Sequence, residues 1–316
     1  MPSDTKIVKL KLDVIFKKMF ANKKNENTLR KFLESVLELP ENSITGITMD
    51  NVELLPEDID DKFSRLDILM NVGEKQINIE MQICNEKSFA NRTLFYWSKL
   101  YSGNLKSGES YDKLPQTICI NIINFNMFED TTDFHSHFQV MEKKRHTLLT
   151  DKLAIHFFEL GKINKKPDTS NKMQLWMQLI NAETEGDLEM LEQTNVKEIQ
   201  EAVLILREMS ADEKMKELAR RRELALYDRI TDLEVSRAEG RAEGLEEGMQ
   251  KGMQKGMQKG MQKGMQKGMQ KGMQKGKAEG IEETKKIFKL FMQGYNAERI
   301  SQELRIPKEQ VQSIIN

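Results

Sequence analysis

Only two cysteines occur in the 316 residues, Cys84 and Cys119, and both lie inside apolar, strand-like segments. They read as buried free thiols, not as a disulfide framework, which favours a reducing, cytoplasmic setting. No apolar run approaches the ~20 residues that a membrane span requires, so no membrane partner is expected. Residues 1–11 lack the apolar core of a secretory signal. One-signed charge is missing as well: 49 Lys and Arg stand against 50 Asp and Glu, for a net charge of −1. That balance excludes a global polycation holding nucleic acid by bulk charge alone. Local basic clusters exist at Lys143-Lys144-Arg145 and Arg220-Arg221-Arg222, and runs of this kind are commonly solvated faces.

The chain is long enough for one sizeable domain with appendages. What it has in abundance is regular glycine. From Gly240 to Gly280 a glycine recurs at every fourth position, and between Gly248 and Gly276 the sequence repeats Met-Gln-Lys-Gly. Each glycine costs a helix about 1 kcal/mol relative to alanine, yet Met, Gln, Lys, Glu and Ala are good helix formers. Four residues advance about 400° around a helix, so a glycine stripe drifts about 40° per repeat and leaves a spiral groove for another backbone. Two readings stand: a long helix stabilised by self-association, which we favour, and a flexible, helix-prone spacer. The tract divides the chain into residues 1–170, a globular α/β core; 171–238, a helical extension; 239–280, the repeat; and 281–316, a small helical module. In the last, Gly294 interrupts an amphipathic stretch, and residues 297–304 and 307–315 form two short helices resembling a helix-turn-helix.

Within the core, residues 10–20 and 29–39 carry helical apolar spacing, and Pro40 ends the second stretch. A strand is expected over 47–55. Residues 65–72 and 76–84 form the clearest hairpin, joined through Gly73-Glu74-Lys75. A helix over 87–105 follows, then a strand over 117–125 that is apolar at nearly every position, as in a strand covered on both faces. A further strand is expected over 154–160, and everything from Met173 reads helical.

Side chains alternate between the faces of a strand. On the second hairpin strand Ile77, Ile79, Met81 and Ile83 share one face, and Glu80 and Gln82 lie on the other. A two-residue Gly73-Glu74 loop pairs Val72 with Lys75 and sets Asp67 opposite Glu80; a four-residue loop sets Asp67 opposite Gln82 and keeps the same faces. Two carboxylates so close repel unless a cation lies between them. Asp and Glu oxygens with water suit Mg²⁺ or Mn²⁺, which can activate water and neutralise a phosphodiester. The alternative is a half-solvated strand with a polar outer face. His135 and His137 have the i, i+2 spacing of a strand-borne metal site but lack a third ligand in register.

Asp13-Val14-Ile15-Phe16-Lys17, then Asp67, Ile79-Glu80-Met81-Gln82, the run from Arg92 to Tyr101, Gly108, Tyr111 and Phe158-Glu159-Leu160-Gly161-Lys162 follow one another in order. Together they resemble the Rpn family of recombination-promoting nucleases and related transposases, within the PD-(D/E)XK nuclease superfamily. The resemblance covers roughly residues 5–240. It implies a mixed sheet flanked by helices, with Asp67 and Glu80 as catalytic metal ligands for Mg²⁺ (or Mn²⁺). Gln82 falls where the superfamily usually carries a lysine that polarises the attacking water, and a neutral amide cannot supply that charge. Lys17, Arg92 and Lys162 are candidates for the missing cation, and Asp13 for a further acidic contribution. Arg92 and Tyr96 share a helix face and can look into one cleft, or Arg92 can lie over an aromatic core.

The expected function is a metal-dependent endonuclease acting on double-stranded DNA, in recombination, mobile-element activity or phage defence, from a homo-oligomer such as a dimer. The alternative is a catalytically weak or inactive DNA-binding or oligomerisation protein on the same fold.

Overall fold

The computed structural model describes residues 5–50, 68–85 and 88–316. The chain divides into two compact units, Met1–Leu233 and Glu234–Asn316. The first is a mixed α/β body. Its described strands are β1 (Thr48–Asp50), β2 (Ile68–Val72), β3 (Lys75–Gln82), β4 (Gln116–Ile123), β5 (His135–Met141) and β6 (Leu148–Glu159), ordered β1-β2-β3-β4-β6-β5 in one sheet. The pairs β3–β4 and β4–β6 are parallel and the others antiparallel. Parallel neighbours need a crossover, and α3 (Phe89–Gly103) supplies it between β3 and β4.

Alternation along the central strands divides the core in two. Ile77 and Ile79 of β3, Ile118, Ile120 and Ile122 of β4, and Ala154 and Phe158 of β6 face the larger core. There they meet α1 (Asp13–Phe20), α2 (Glu26–Val36) and α4 (Lys172–Asn181). Phe16, Phe20, Phe32 and Trp176 form its aromatic centre, with the Phe32 and Trp176 rings 5.6 Å apart and edge-on. The Trp176 indole N–H donates to Ser35 Oγ at 3.1 Å, so its one polar atom is satisfied. Cys119, Ile123, Ile155 and Phe157 point the other way, to Phe89 of α3. β4 is thus covered on both faces, as its unbroken apolar run required. Both cysteines are free and buried.

The β2–β3 hairpin closes with a two-residue turn: Val72 pairs with Lys75, and Gly73 takes φ +58°, a left-handed conformation that suits glycine. The expected strand over 47–55 is described only as Thr48–Asp50, and positions 51–67 lie outside the described residues. Two features differ from the sequence expectation. β6 begins at Leu148, six residues earlier than its apolar stretch indicated, because β5 pairs with this exposed beginning. β5 itself is amphipathic only in part and carries no clean alternation.

The helical region begins with α4 and continues through α5 (Glu185–Glu192) and α6 (Lys197–Ala211). Thr184 and Asp187 form a reciprocal capping box at the start of α5. α7 (Glu213–Met292) is then continuous through the whole repeat. The repeat methionines are more than 70% exposed, and no atom lies within 4 Å of a Cβ built on any glycine from Gly240 to Gly280. In the second unit, Ile287 of α7 packs with Ile300 of α8 (Ala297–Leu304) and Val311 of α9 (Lys308–Ile315). Gly294 turns the chain between α7 and α8 at φ +88°.

Because the repeat contributes nothing to either core, deleting residues 249–276 should leave the main thermal unfolding transition of the α/β body in place. A clear drop in its melting temperature would show that the tract supports that body.

Candidate active site

β3 presents a polar file, Gln76, Asn78 and Glu80, to the face covered by α3. All three are buried, so each needs a partner. The Asn104 amide donates to Gln76 Oε1 at 2.8 Å. Thr93 of α3 donates to Asn121 Oδ1 of β4 at 3.4 Å, and the Asn121 amide donates to the His156 carbonyl at 3.1 Å. Glu80, directly opposite Asn121 in the parallel register, is held by Arg92: Nη2 donates to Oε1 at 2.7 Å. Their side chains are only 8% and 18% exposed, so this ion pair is largely removed from water. The Arg92 guanidinium also lies 4.9 Å above the Phe89 ring, so the arginine takes both the ionic and the aromatic role that its spacing allowed. Tyr96, one turn further along α3, is also buried. Burial, followed by the Glu80 charge, pushes the Cys119 thiol up to about 12. It is an inert core thiol.

Gln82 is half-buried at the end of β3, and its amide donates to the Cys84 carbonyl at 2.9 Å. It lines a cavity of about 30 Å³ together with Asp13, Cys84, Arg222 and Arg229. Asp13 is not a cap residue: both its oxygens accept from Arg222, at 2.6 Å each, in a bidentate pair that fastens α1 to the first turns of α7. The cluster Arg220-Arg221-Arg222 is therefore split. Arg220 and Arg221 pair with Glu217 on the exposed face, and Arg222 turns inward.

Lys162 is bound by Glu159 at 2.7 Å and also donates to the Phe128 carbonyl. Glu159 in turn accepts the Met127 and Phe128 N–H groups, so the pair clamps the segment that follows β4. Lys17 is half-buried on α1. Asp67 lies outside the described residues, and the hairpin register is described up to Ile68 opposite Ile79. No cluster of three or more His, Cys, Asp or Glu among the described residues could hold a metal ion.

The third histidine missing from the sequence pattern is His156, directly opposite His137 on β6. The His137 and His156 rings stack at 4.1 Å, and His135 Nε2 is 3.0 Å from His156 Nδ1. These imidazoles stack and hydrogen-bond to one another. Burial first, then the His137 and His135 charges, pulls His156 down to about 3. Burial likewise lowers His135 and His137, opposed in each by the Glu38 charge. The one sequence signal was His156 itself, a polar residue within an apolar strand.

A mixed sheet with a parallel centre, flanked by helices and carrying Glu80 and Gln82 at the end of a hairpin strand, has the architecture of a PD-(D/E)XK nuclease fold. Residues 10–236 match the PD-(D/E)XK nuclease family transposases, and the chain belongs to that family. No curated protein and no solved structure matches it.

Two outcomes follow from these contacts. Arg92→Ala removes the Arg92–Glu80 ion pair from a largely buried carboxylate and should cost about 3–5 kcal/mol in urea unfolding, with much of the loss restored in the Arg92→Ala/Glu80→Gln double variant. Additive losses would show that the two residues are not coupled. Second, the unfolded chain binds more protons than the folded one between the ordinary histidine value of 6.5 and the folded value of about 3 for His156. Stability is therefore intact above that window and falls as pH drops through it, by about 2 kcal/mol at pH 5 from His156 alone. His156→Gln should flatten the difference in urea midpoint between pH 7.5 and pH 5.0; an unchanged difference would assign the acid sensitivity elsewhere.

Proposed function

We propose that the chain is a metal-dependent endonuclease that hydrolyses phosphodiester bonds in double-stranded DNA, with Asp67, Glu80 and Gln82 as its site. The observation that carries this reading is the hairpin register. It runs without a slip from the Gly73-Glu74 turn to Ile68 opposite Ile79; in the sequence Asp67 precedes Ile68 and Glu80 follows Ile79. Membership of a nuclease family supports DNA as the substrate.

The donor set suits a hard divalent cation. Glu80 offers a carboxylate that is already compensated by positive charge, Gln82 offers an amide oxygen, and Asp67 would complete the acidic pair. Mg²⁺ or Mn²⁺ is the ion such oxygens prefer. Bound there, it supplies charge neutralisation at the phosphate and acidifies water.

The side chains have separable duties. Arg92 neutralises Glu80; were a divalent cation held by Glu80, it would supply that compensation in its place, and the Arg92 guanidinium could then bind a phosphate oxygen. Gln82 orients water by hydrogen bonding in its small polar cavity, which is large enough for one molecule. As a neutral amide it adds no charge to the attack. Asp13 acts at a distance by holding Arg222 at the rim of that cavity. Lys162 and Glu159 fix the neighbouring segment and stay out of the chemistry.

A second reading has its own observation. Glu80 is buried behind Arg92 and no lysine stands at position 82, which fits a DNA-binding protein with weak or no cleavage. Plasmid nicking with Mg²⁺, Mn²⁺ or EDTA separates the two. Wild type should nick with either divalent ion. Asp67→Ala and Glu80→Gln should lose at least a hundredfold in rate, and Gln82→Lys should retain or raise it. Undiminished nicking in Asp67→Ala would remove that residue from the site, and no nicking by wild type would leave the second reading.

A further inference from the structure

The strongest charge asymmetry of the molecule lies outside the region matched by the nuclease family, which ends at residue 236. Residues 249–276 contain seven lysines, from Lys251 to Lys275 at every fourth position, and no Asp or Glu, in a chain of total charge −1. The whole segment is helical and exposed. Four residues rise about 6 Å and advance about 40° beyond a full turn, so the lysines form a continuous ridge that winds slowly round the helix. A glycine ridge runs beside it, and no atom lies within 4 Å of a Cβ built on its members. The helix backbone next to the lysines is therefore open to close approach.

Two properties of the segment oppose its pairing with a second copy. The methionine ridge drifts at the same 40° per repeat and offers no straight apolar seam to a partner helix. A second tract would also set one row of lysines against another, with no carboxylate in either to compensate. A polyanion meets neither obstacle.

We propose that residues 249–276 are a polycationic arm whose partner is duplex DNA, bound through its phosphates without reading sequence. The choice of DNA over other polyanions rests on the nuclease reading of the α/β body. The arm holds the duplex by counterion release while the body acts on it, so its contribution is salt-dependent and independent of sequence. This use of the repeat is an alternative to the self-association that its glycine spacing first suggested.

The test is the binding of a fluorescent 30-base-pair duplex by the full-length chain in EDTA, followed by anisotropy between 50 and 300 mM NaCl. The comparison is a variant with all seven lysines replaced, Lys251→Gln through Lys275→Gln, which keeps helix propensity and should keep the circular dichroism spectrum. At 100 mM salt the variant should bind at least a hundredfold more weakly. The slope of log affinity against log salt should shrink by about 6 if every lysine meets a phosphate. Equal affinity and slope in the two proteins would overturn the inference. If plasmid nicking persists in that case, the nuclease reading stands without the arm. If wild type nicks no DNA yet binds duplex through the lysines, the arm stands and the nuclease reading falls. Tighter binding to phosphatidylserine vesicles than to duplex, or a lower oligomeric state of the variant in light scattering, would assign the tract to a membrane surface or to a second copy and likewise overturn it.

Discussion

The candidate site depends on the ion pair of Arg92 with Glu80, packed between α3 and the sheet. A carboxylate in that position has two stable conditions: matched by a cation or protonated. The fold supplies the cation from α3, the crossover helix that follows β3, so the connection that makes β3 and β4 parallel also compensates the acid between them. In the polar file around it, Gln76 and Asn121 are hydrogen-bonded to Asn104, α3 and β6, while the buried Asn78 Oδ1 is left without a hydrogen bond.

Much of the scaffold was legible in the sequence because it rests on local signals. Gly73 fixed the turn, and the turn fixed the register; the apolar run of β4 announced a strand covered on both faces; Gly294 and Pro307 delimited the last two helices. Contacts distant in sequence left less trace. The Asp13–Arg222 pair joins residues more than 200 positions apart, and nothing in either segment distinguishes Arg222 from Arg220 and Arg221. β5 was missed because an edge strand, solvated on one side and interrupted by register shifts, lacks clean alternation. Without β5, His135 and His137 had no visible third partner, and the early start of β6 was equally hidden. For the site itself, residue types and spacing indicated Glu80 and Gln82, but nothing local showed that Glu80 would be largely buried in an ion pair with Arg92.

The two units divide the work by physical character. The α/β body has a dense aromatic and aliphatic core and buries its charged groups in pairs. The repeat has no core and displays its charge. An overall balance near zero conceals this segregation, which is why composition excluded only a global polycation and did not reveal the lysine-rich segment.

The most direct test of the account is equilibrium binding of Mn²⁺ to the DNA-free protein, followed by titration calorimetry or electron paramagnetic resonance. If Asp67 and Glu80 are the metal ligands, wild type binds Mn²⁺ saturably and both Asp67→Asn and Glu80→Gln abolish that binding while retaining the wild-type circular dichroism spectrum. Binding that is equal in all three proteins would contradict the assignment and place any metal chemistry of this family member elsewhere in the chain.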